Sequence, residues 1–336
     1  MRAVGFNQTL PVDDPKSLLD ITFPTPIATG CDLLVEVMAV SVNPADVKQR
    51  GSANIDGSFR VLGYDACGRV RALGDRVTLF RPGDDVFYAG DLRRSGTNAE
   101  LHLVDERIVG RKPKNLTFAE AAALPLTSIT AWELLFDKFR VAERGGNGDT
   151  LLIIAGAGGV GSMLIQLAKK LTRLRVIATA SREDSREWCL SLGSDAVIDH
   201  RGDLGAQLKT LGSDVRYVAG LGHTQAHLPA ILDCINPFGE IALIDQIQAP
   251  DFRQFKNKAL SIHWVFMFSR AMFGAKDIQR QHEILNSISD LAEQGKIIST
   301  MRRNYGTINA DNLRRAHAFQ ESSAAIGKTV LEGFDK

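Results

Sequence analysis

The chain has 336 residues, long enough for two domains that each build a core. At 44% hydrophobic and 24% charged residues it is composed like a folded globular protein, not a disordered one. A formal net charge of +1, with Lys and Arg dispersed, gives no basic stripe and so no expected nucleic-acid partner. The four cysteines Cys31, Cys67, Cys189 and Cys234 are far apart and form no C-x-x-C pair, which argues against a disulfide framework and against an all-cysteine zinc site. The apolar runs are too short to span a bilayer and the N-terminus lacks a signal-peptide core. The expected location is therefore the cytoplasm, with no membrane partner.

The chain begins with a β-rich stretch. Segments 33–40, 66–73, 85–89 and 101–104 read as short strands. Turn signals at Pro24, Pro26, Gly30, Pro44, Gly51, Gly57, Gly74 and Arg81 to Asp84 separate them, as in a barrel-like module. The pattern changes at Thr117, a plausible N-cap with Glu120 three residues on, before a helical run over 118–124. Pro125 interrupts that run, and a helix period resumes over 130–136.

Next comes an apolar, β-branched segment, 150–155, that ends in Gly156-Ala157-Gly158-Gly159-Val160-Gly161 and passes straight into a helical period. Val160, Met163, Leu164, Leu167, Ala168 and Leu171 fall on one face of that helix. This is the strand–turn–helix context of a dinucleotide pyrophosphate site. Gly156 serves the tight turn, Gly158 the close approach of the phosphates, and Gly161 the packing of helix on strand; the helix N-terminus offers free N–H groups. An ordinary βα turn would not need glycine at all three places.

From 150 to about 268 strands alternate with helical patterns: 150–155, 175–180, 195–198, 215–218, 240–244 and 261–265. Repeated βα units imply an α/β fold with a doubly wound parallel sheet. Helices are expected over 277–295 and 309–322, and a last strand over 327–331. In such a sheet the adenosine ribose is read at the end of the second strand. That strand ends here in Ala180-Ser181-Arg182, without an acid at its tip. A guanidinium at Arg182 and a hydroxyl at Ser181 suit a 2′-phosphate, so the expected cofactor is NADP(H). The plainer alternatives are a solvated Arg182 at a helix start and Ser181 as that helix's N-cap.

The order of parts resembles the medium-chain dehydrogenase/reductase superfamily, in its zinc-free quinone-oxidoreductase-like branch, which includes zinc-type alcohol dehydrogenase-like proteins. The carriers are Asn43-Pro-Ala-Asp-Val-Lys-Gln-Arg-Gly51, Gly63-Tyr-Asp65 with Gly68, Arg81-Pro-Gly-Asp84 with Asp85 and Val86, Thr130-Ala131, Gly156 to Gly161, and Gly327-Lys-Thr-Val-Leu331. The resemblance implies a GroES-like β-rich catalytic domain plus a doubly wound parallel-sheet Rossmann domain. Residues 1–126 would form the catalytic domain, 127–269 the Rossmann NADP-binding domain, and 270–336 a tail returning to the catalytic domain, with the cofactor in the cleft and the protein a homodimer.

Zinc-dependent members hold the metal with Cys and His. Asn43 stands here where the first Cys would be, Tyr64 where the His would be, and Asp65 in the place of the following Glu. Amide and phenol are poor zinc ligands, so no metal is expected. His223 and His227, at i and i+4, could share a helix face, but no HExxH motif accompanies them. Without a metal to hold an alkoxide, hydride transfer to a quinone or an α,β-unsaturated carbonyl is less demanding than alcohol oxidation.

The catalytic candidates are Asn43 and Tyr64. Their plainer alternatives are a turn residue before Pro44 and a packed aromatic. Asp46 and Lys48 could form a local ion pair. By resemblance the cofactor contacts are Asn43, Thr130, Gly156, Gly158, Gly159, Val160, Gly161, Ser181, Arg182, Leu221, His223, Ile244, Phe266, Phe268 and Lys328. Thr130 could instead serve as a helix cap, and Phe266 and Phe268 as core. The alternatives for function are a zinc-type alcohol dehydrogenase and a non-catalytic NADPH-binding protein.

Overall fold

The computed structural model describes residues 1–52, 56–248 and 250–334. It divides into two compact units, unit 1 with Met1–Ile129 and Phe268–Lys336, and unit 2 with Thr130–Met267. The chain is α/β, with a β-rich unit 1 and a parallel-sheet unit 2.

Unit 1 is organised around the strand Asp32–Val42, in which Leu33, Val35 and Val37 are buried in alternation with half-buried neighbours, as expected for a strand with one face on a core. Asp65–Leu73 pairs antiparallel along it, with Ser41 opposite Asp65. The C-terminal strand Lys328–Glu332 pairs antiparallel on the other side, with Thr329 opposite Val42 and Val330 opposite Ser41. Strands Met301–Asn304, Asp85–Tyr88, Val109–Arg111 and Leu101–Asp105 complete a seven-stranded sheet. A second sheet places Arg2–Phe6 between Leu19–Thr22 and Arg60–Val61. Segment 60–65 is pinned from below: Gly63 has φ 108, and a Cβ there would lie 2.4 Å from Thr97 Oγ1. Only glycine can hold this turn, which aims Tyr64 and Asp65.

Unit 2 contains a six-stranded sheet in the order Ala196–Ile198, Arg175–Thr179, Thr150–Ile154, Val215–Gly220, Ile235–Leu243, Ser261–Trp264. All its pairings are parallel. Thr150–Ile154 is buried throughout, which explains its unbroken apolar sequence. The chain leaves this strand toward Arg175–Thr179 on one side and later returns to Val215–Gly220 on the other. The carboxyl end of Thr150–Ile154 is thus the topological switch point. Helix Gly159–Leu171 starts there and buries Met163, Leu164, Ile165, Leu167 and Ala168.

Two elements differ from the sequence expectation. The run at 130–136 begins earlier, as helix Pro125–Trp132, and continues as the π-helical turn Glu133–Lys138; Pro125 opens this helix, where its missing N–H costs nothing. The strand expected over 240–244 starts at Ile235, passing through Pro237 and Gly239, which look like turn residues in sequence. No helix of the described residues is long and apolar enough to cross a membrane.

Leu164 is fully buried in the helix that carries the glycine turn. Leu164→Ala is expected to lower unfolding stability by about 2–5 kcal/mol, read by urea denaturation. A loss well under 1 kcal/mol would mean that this face does not hold the helix.

Candidate active site

The glycine turn of unit 2 is strained at a position that no sequence pattern marks. The residue with positive φ is Ala155, at 62°, not a glycine. Its N–H donates to Thr179 Oγ1 (3.0 Å) and the Gly156 N–H to Thr179 O (3.1 Å), which fastens the turn to the neighbouring strand. A Cβ on Gly156 would sit 2.6 Å from Ala178 Cβ, and one on Gly161 would sit 2.4 Å from Gly156 O. Both glycines are therefore required by packing within the fold. Gly158 differs, since its nearest neighbour would be Ala155 O at 3.5 Å, an ordinary contact. Gly158 is also the N-cap of helix Gly159–Leu171 and supplies no side-chain hydrogen bond. The Gly158 N–H donates to Ala155 O at 3.2 Å, but the first-turn N–H groups of a helix have no intrahelical acceptors, so Gly159 and Val160 offer N–H groups for an anion beside the open face of Gly158.

Strand Arg175–Thr179 leads into Ala180, whose N–H donates to Ile198 O at 3.0 Å. Ser181 is half-buried and Arg182 exposed. The N-cap of helix Glu183–Ser191 is Arg182, not Ser181. Ser185 Oγ closes that cap, accepting from Arg182 N at 3.2 Å and donating to Arg182 O at 2.7 Å, so the Ser181 hydroxyl is not the one that caps the helix. Farther along the sheet, half-buried Leu221 and Ile244 follow Val215–Gly220 and Ile235–Leu243. Asp245 accepts from Thr224 N (2.9 Å) and Thr224 Oγ1 (2.8 Å). His223 is the N-cap of helix Thr224–Cys234 in a left-handed conformation, φ 54, so it does not share a helix face with His227. Thr130 is buried in helix Pro125–Trp132, and Phe266 is half exposed.

In unit 1 the strand geometry gathers a buried polar cluster. Lys328, at the start of the C-terminal strand, is only 4% exposed. Its ammonium donates to Val42 O at 2.8 Å and to Asn43 Oδ1, and pairs with Asp65 Oδ2 at 3.0 Å. An ammonium has three N–H donors, and these three acceptors use them all. Asn43 Nδ2 donates to Asp65 Oδ2 (2.9 Å) and Ser41 O (3.2 Å), so both ends of its amide are engaged. Asp65 also accepts from Ser41 Oγ (2.9 Å) and from the Leu126 N–H (2.8 Å). Tyr64 is buried, with Phe268 against its ring, edge to face, at a centroid separation of 5.2 Å. Burial, with the Asp46 carboxyl next, pushes the Tyr64 phenol well above its ordinary value, so it remains protonated.

Asp46 does not pair with Lys48. It lies buried on helix Pro44–Ser52, and its Oδ2 accepts from the Asn43 N–H at 2.7 Å. Its Oδ1 has no partner among the described residues. Burial raises its pKa to about 7; the Asn43 N–H and the Lys328 charge pull it down, and Asp65 pushes it up. Sequence proximity pointed to Lys48, two residues along the helix, whereas the cation that acts on Asp46 is Lys328, from the far end of the chain. Asp65 as the hub of the cluster was equally invisible for that reason. Among the described residues no group of three or more His, Cys, Asp or Glu side chains is placed to hold a metal ion.

Two family profiles match the chain, the alcohol dehydrogenase GroES-like domain over residues 30–130 and the zinc-binding dehydrogenase over residues 159–281. A zinc-type alcohol dehydrogenase-like protein from Staphylococcus epidermidis (strain ATCC 12228 / FDA PCI 1200) is 38% identical over 98% of this chain and 99% of its own. The NADPH-dependent alkenal/one oxidoreductase, chloroplastic, of Arabidopsis thaliana is 36% identical over 50% of this chain and 45% of its own. A crystal structure of a candidate zinc-dependent alcohol dehydrogenase protein from Rhizobium etli CFN 42 superposes with a TM-score of 0.97 at 52% identity, covering 100% of this chain and 99% of that one.

Removing the cation of the unit 1 cluster leaves Asp65 buried and unpaired. Lys328→Met is expected to cost about 3–5 kcal/mol of stability, measured by urea denaturation; a neutral result would show that the pair is dispensable. Asp46 carries the opposite sign. Between about pH 4 and 7 the folded chain keeps a proton that the unfolded chain has released, so this group's effect is to lower stability as pH rises through that window. Asp46→Asn is expected to flatten the slope and to be more stable than the parent at pH 8 by on the order of 1–4 kcal/mol, with little difference at pH 4. Parallel denaturation curves for the two proteins at pH 4 and pH 8 would contradict it.

Proposed function

Because this chain belongs to the medium-chain dehydrogenase/reductase superfamily, with zinc-type alcohol dehydrogenase-like proteins among its full-length relatives, we propose that it is an NADPH-dependent oxidoreductase that reduces a quinone or an α,β-unsaturated carbonyl compound without a metal. The observation that carries this reading is the donor set at the two positions where zinc-dependent members hold Cys and His. Asn43 has its amide spent on Lys328 and Asp65, and Tyr64 keeps its phenolic proton. Amide, phenol and an adjacent ammonium do not fit a catalytic zinc. The NADPH-dependent alkenal/one oxidoreductase among the relatives supports both the cofactor and the substrate class.

The residues of unit 2 fit a dinucleotide. The open face at Gly158, with the N–H groups of Gly159 and Val160, suits a pyrophosphate, and Ser181 with Arg182 suits a 2′-phosphate. NADPH, when bound, supplies a hydride. The work left to the chain is to meet the negative charge that develops on the substrate oxygen. Tyr64 is the donor for that oxygen, since burial holds its O–H protonated throughout the working range. Asn43 is a positioning residue: it fixes the Lys328 ammonium against Asp65 as a buried net-neutral pair, which leaves Asp46 as the carboxyl that acts on Tyr64. The edge-to-face contact with Phe268 orients the Tyr64 ring.

The test is NADPH oxidation followed with a panel of quinones, enones, aldehydes and simple alcohols, together with metal analysis of the purified protein. Turnover of enones or quinones in metal-free protein is expected. Arg182→Ala is expected to raise the KM for NADPH by roughly tenfold or more, as for a lost charge-assisted contact, and to leave that for NADH unchanged. Alcohol turnover that needs stoichiometric zinc would overturn the reading in favour of a zinc-type alcohol dehydrogenase. Tight NADPH binding with no turnover on any compound would leave a non-catalytic binding protein.

A further inference from the structure

Three histidines gather at the carboxyl end of the unit 2 sheet. His200 lies two residues past strand Ala196–Ile198, His223 three residues past strand Val215–Gly220, and His227 on helix Thr224–Cys234. The His200 and His227 rings meet edge to face, with centroids 5.6 Å apart and planes at 64°. His223 is close enough to act on both electrostatically. They are not placed to hold a metal ion.

Their location gives the cluster its meaning. In a doubly wound sheet the adenosine ribose is read at the end of the second strand, here Ser181-Arg182. Two hydrogen bonds tie that point to the loop carrying His200. Ala180 N–H donates to Ile198 O at 3.0 Å, and Arg201 Nη2 donates to Ser181 O at 2.8 Å. Arg201 is itself held by Asp199 Oδ2 at 2.7 Å, so the loop 199–201 is fixed against the reading point from both sides. His200 stands between these two residues, and the His227 ring backs it.

The charged groups facing the cluster are Asp199, Arg201 and the other two imidazoles. Burial lowers the His200 pKa, Asp199 opposes, and Arg201 and His223 add to the lowering. Burial lowers that of His227 too, followed by His200 and His223. Without a ligand the His200 and His227 imidazoles are therefore neutral near pH 7. A phosphate dianion placed beside them reverses the local field and favours the charged form.

We propose that His200, His223 and His227 wall the adenosine end of the cofactor site and that the His200–His227 ring pair takes up a proton from solvent when a 2′-phosphorylated adenosine binds there. This rests on the NADPH reading above and adds to it a residue set that discriminates the 2′-phosphate in a pH-dependent manner. No covalent bond changes; the ligand and the proton enter together.

The test is titration calorimetry at pH 7 with adenosine 2′,5′-bisphosphate and with 5′-AMP, each in two buffers of different ionisation enthalpy. The bisphosphate is expected to bind with net proton uptake and 5′-AMP without it. The sign is diagnostic, because a phosphate monoester with a second pKa near about 6 bound by arginines alone would release protons, not take them up. Proton release or no exchange on bisphosphate binding overturns the proposal and leaves the NADPH reading standing on Arg182 and Arg201. Equal affinity for the two probes overturns both. The double variant His200→Asn with His227→Asn is expected to lose the uptake and to bind the bisphosphate about tenfold more weakly, with its folding checked separately by circular dichroism and its urea midpoint. Uptake that persists in this variant would assign the proton elsewhere and sink the proposal. The parent measurement does not depend on any variant folding.

Discussion

The ammonium of Lys328 has three N–H groups, and the fold supplies an acceptor for each: Val42 O, Asn43 Oδ1 and Asp65 Oδ2. Desolvating an ion costs several kcal/mol, which only complete hydrogen bonding and a well-placed countercharge offset. Here the countercharge is almost fully buried as well, and its remaining lone pairs are filled by Ser41 and the Leu126 N–H. The consequence is topological. Lys328 and Asn43 are separated by 285 positions, and the pair holds the C-terminal strand to Asp32–Val42 in the register that brings Val330 opposite Ser41. A slip by one residue would put the ammonium on the other face of the sheet, away from Asp65. The strand ladder supplies the attachment, and the buried ion pair specifies its register.

The same cluster explains why Asp46 differs so much from Asp65. Both carboxyls are buried in the same neighbourhood, yet Asp65 has a cation and three donors whereas Asp46 has one backbone N–H and an oxygen with no partner. One ammonium cannot neutralise two carboxylates. Asp65 takes it, and Asp46 is left with a pKa near 7. The outcome is an assembly with one buried ion pair and one acid that stays mostly protonated only below about pH 7, which limits the buried negative charge beside Tyr64.

Much of this architecture was legible in the sequence, and its limits are physical. Strand alternation in 33–40 and the apolar run before Gly156 each arise from local burial, so pattern alone located Asp32–Val42 and Thr150–Ile154. Composition could not reveal that the strained residue of the glycine turn is Ala155. Its φ of 62 is imposed by hydrogen bonds from a neighbouring strand, and a residue with a Cβ bears that strain because Thr179 holds it. The i, i+4 spacing of His223 and His227 suggested a shared helix face, but the helix starts one residue after His223. The plainer alternative for Ser181, a helix N-cap, also fails, since the structure gives that position to Arg182. Long-range partners such as Lys328 for Asp65 leave no local signature, since each residue alone reads as an ordinary surface charge.

The two units use charge in opposite ways. In unit 1 the Lys328 and Asp65 charges are desolvated and satisfy each other, next to Tyr64, whose phenol burial keeps protonated. In unit 2 the ionisable groups at the end of the second strand are half-buried or exposed: Arg182, Arg201 and the histidines retain contact with solvent. Exposed groups contribute little to stability through fixed pairs, but they remain free to change partner or protonation when a ligand arrives. If the chain reads its dinucleotide at Ser181-Arg182 as proposed, stability and specificity are separated in the sequence: a substitution in the Lys328–Asp65 cluster acts first on folding, and one around Ser181-Arg182 on which dinucleotide is retained.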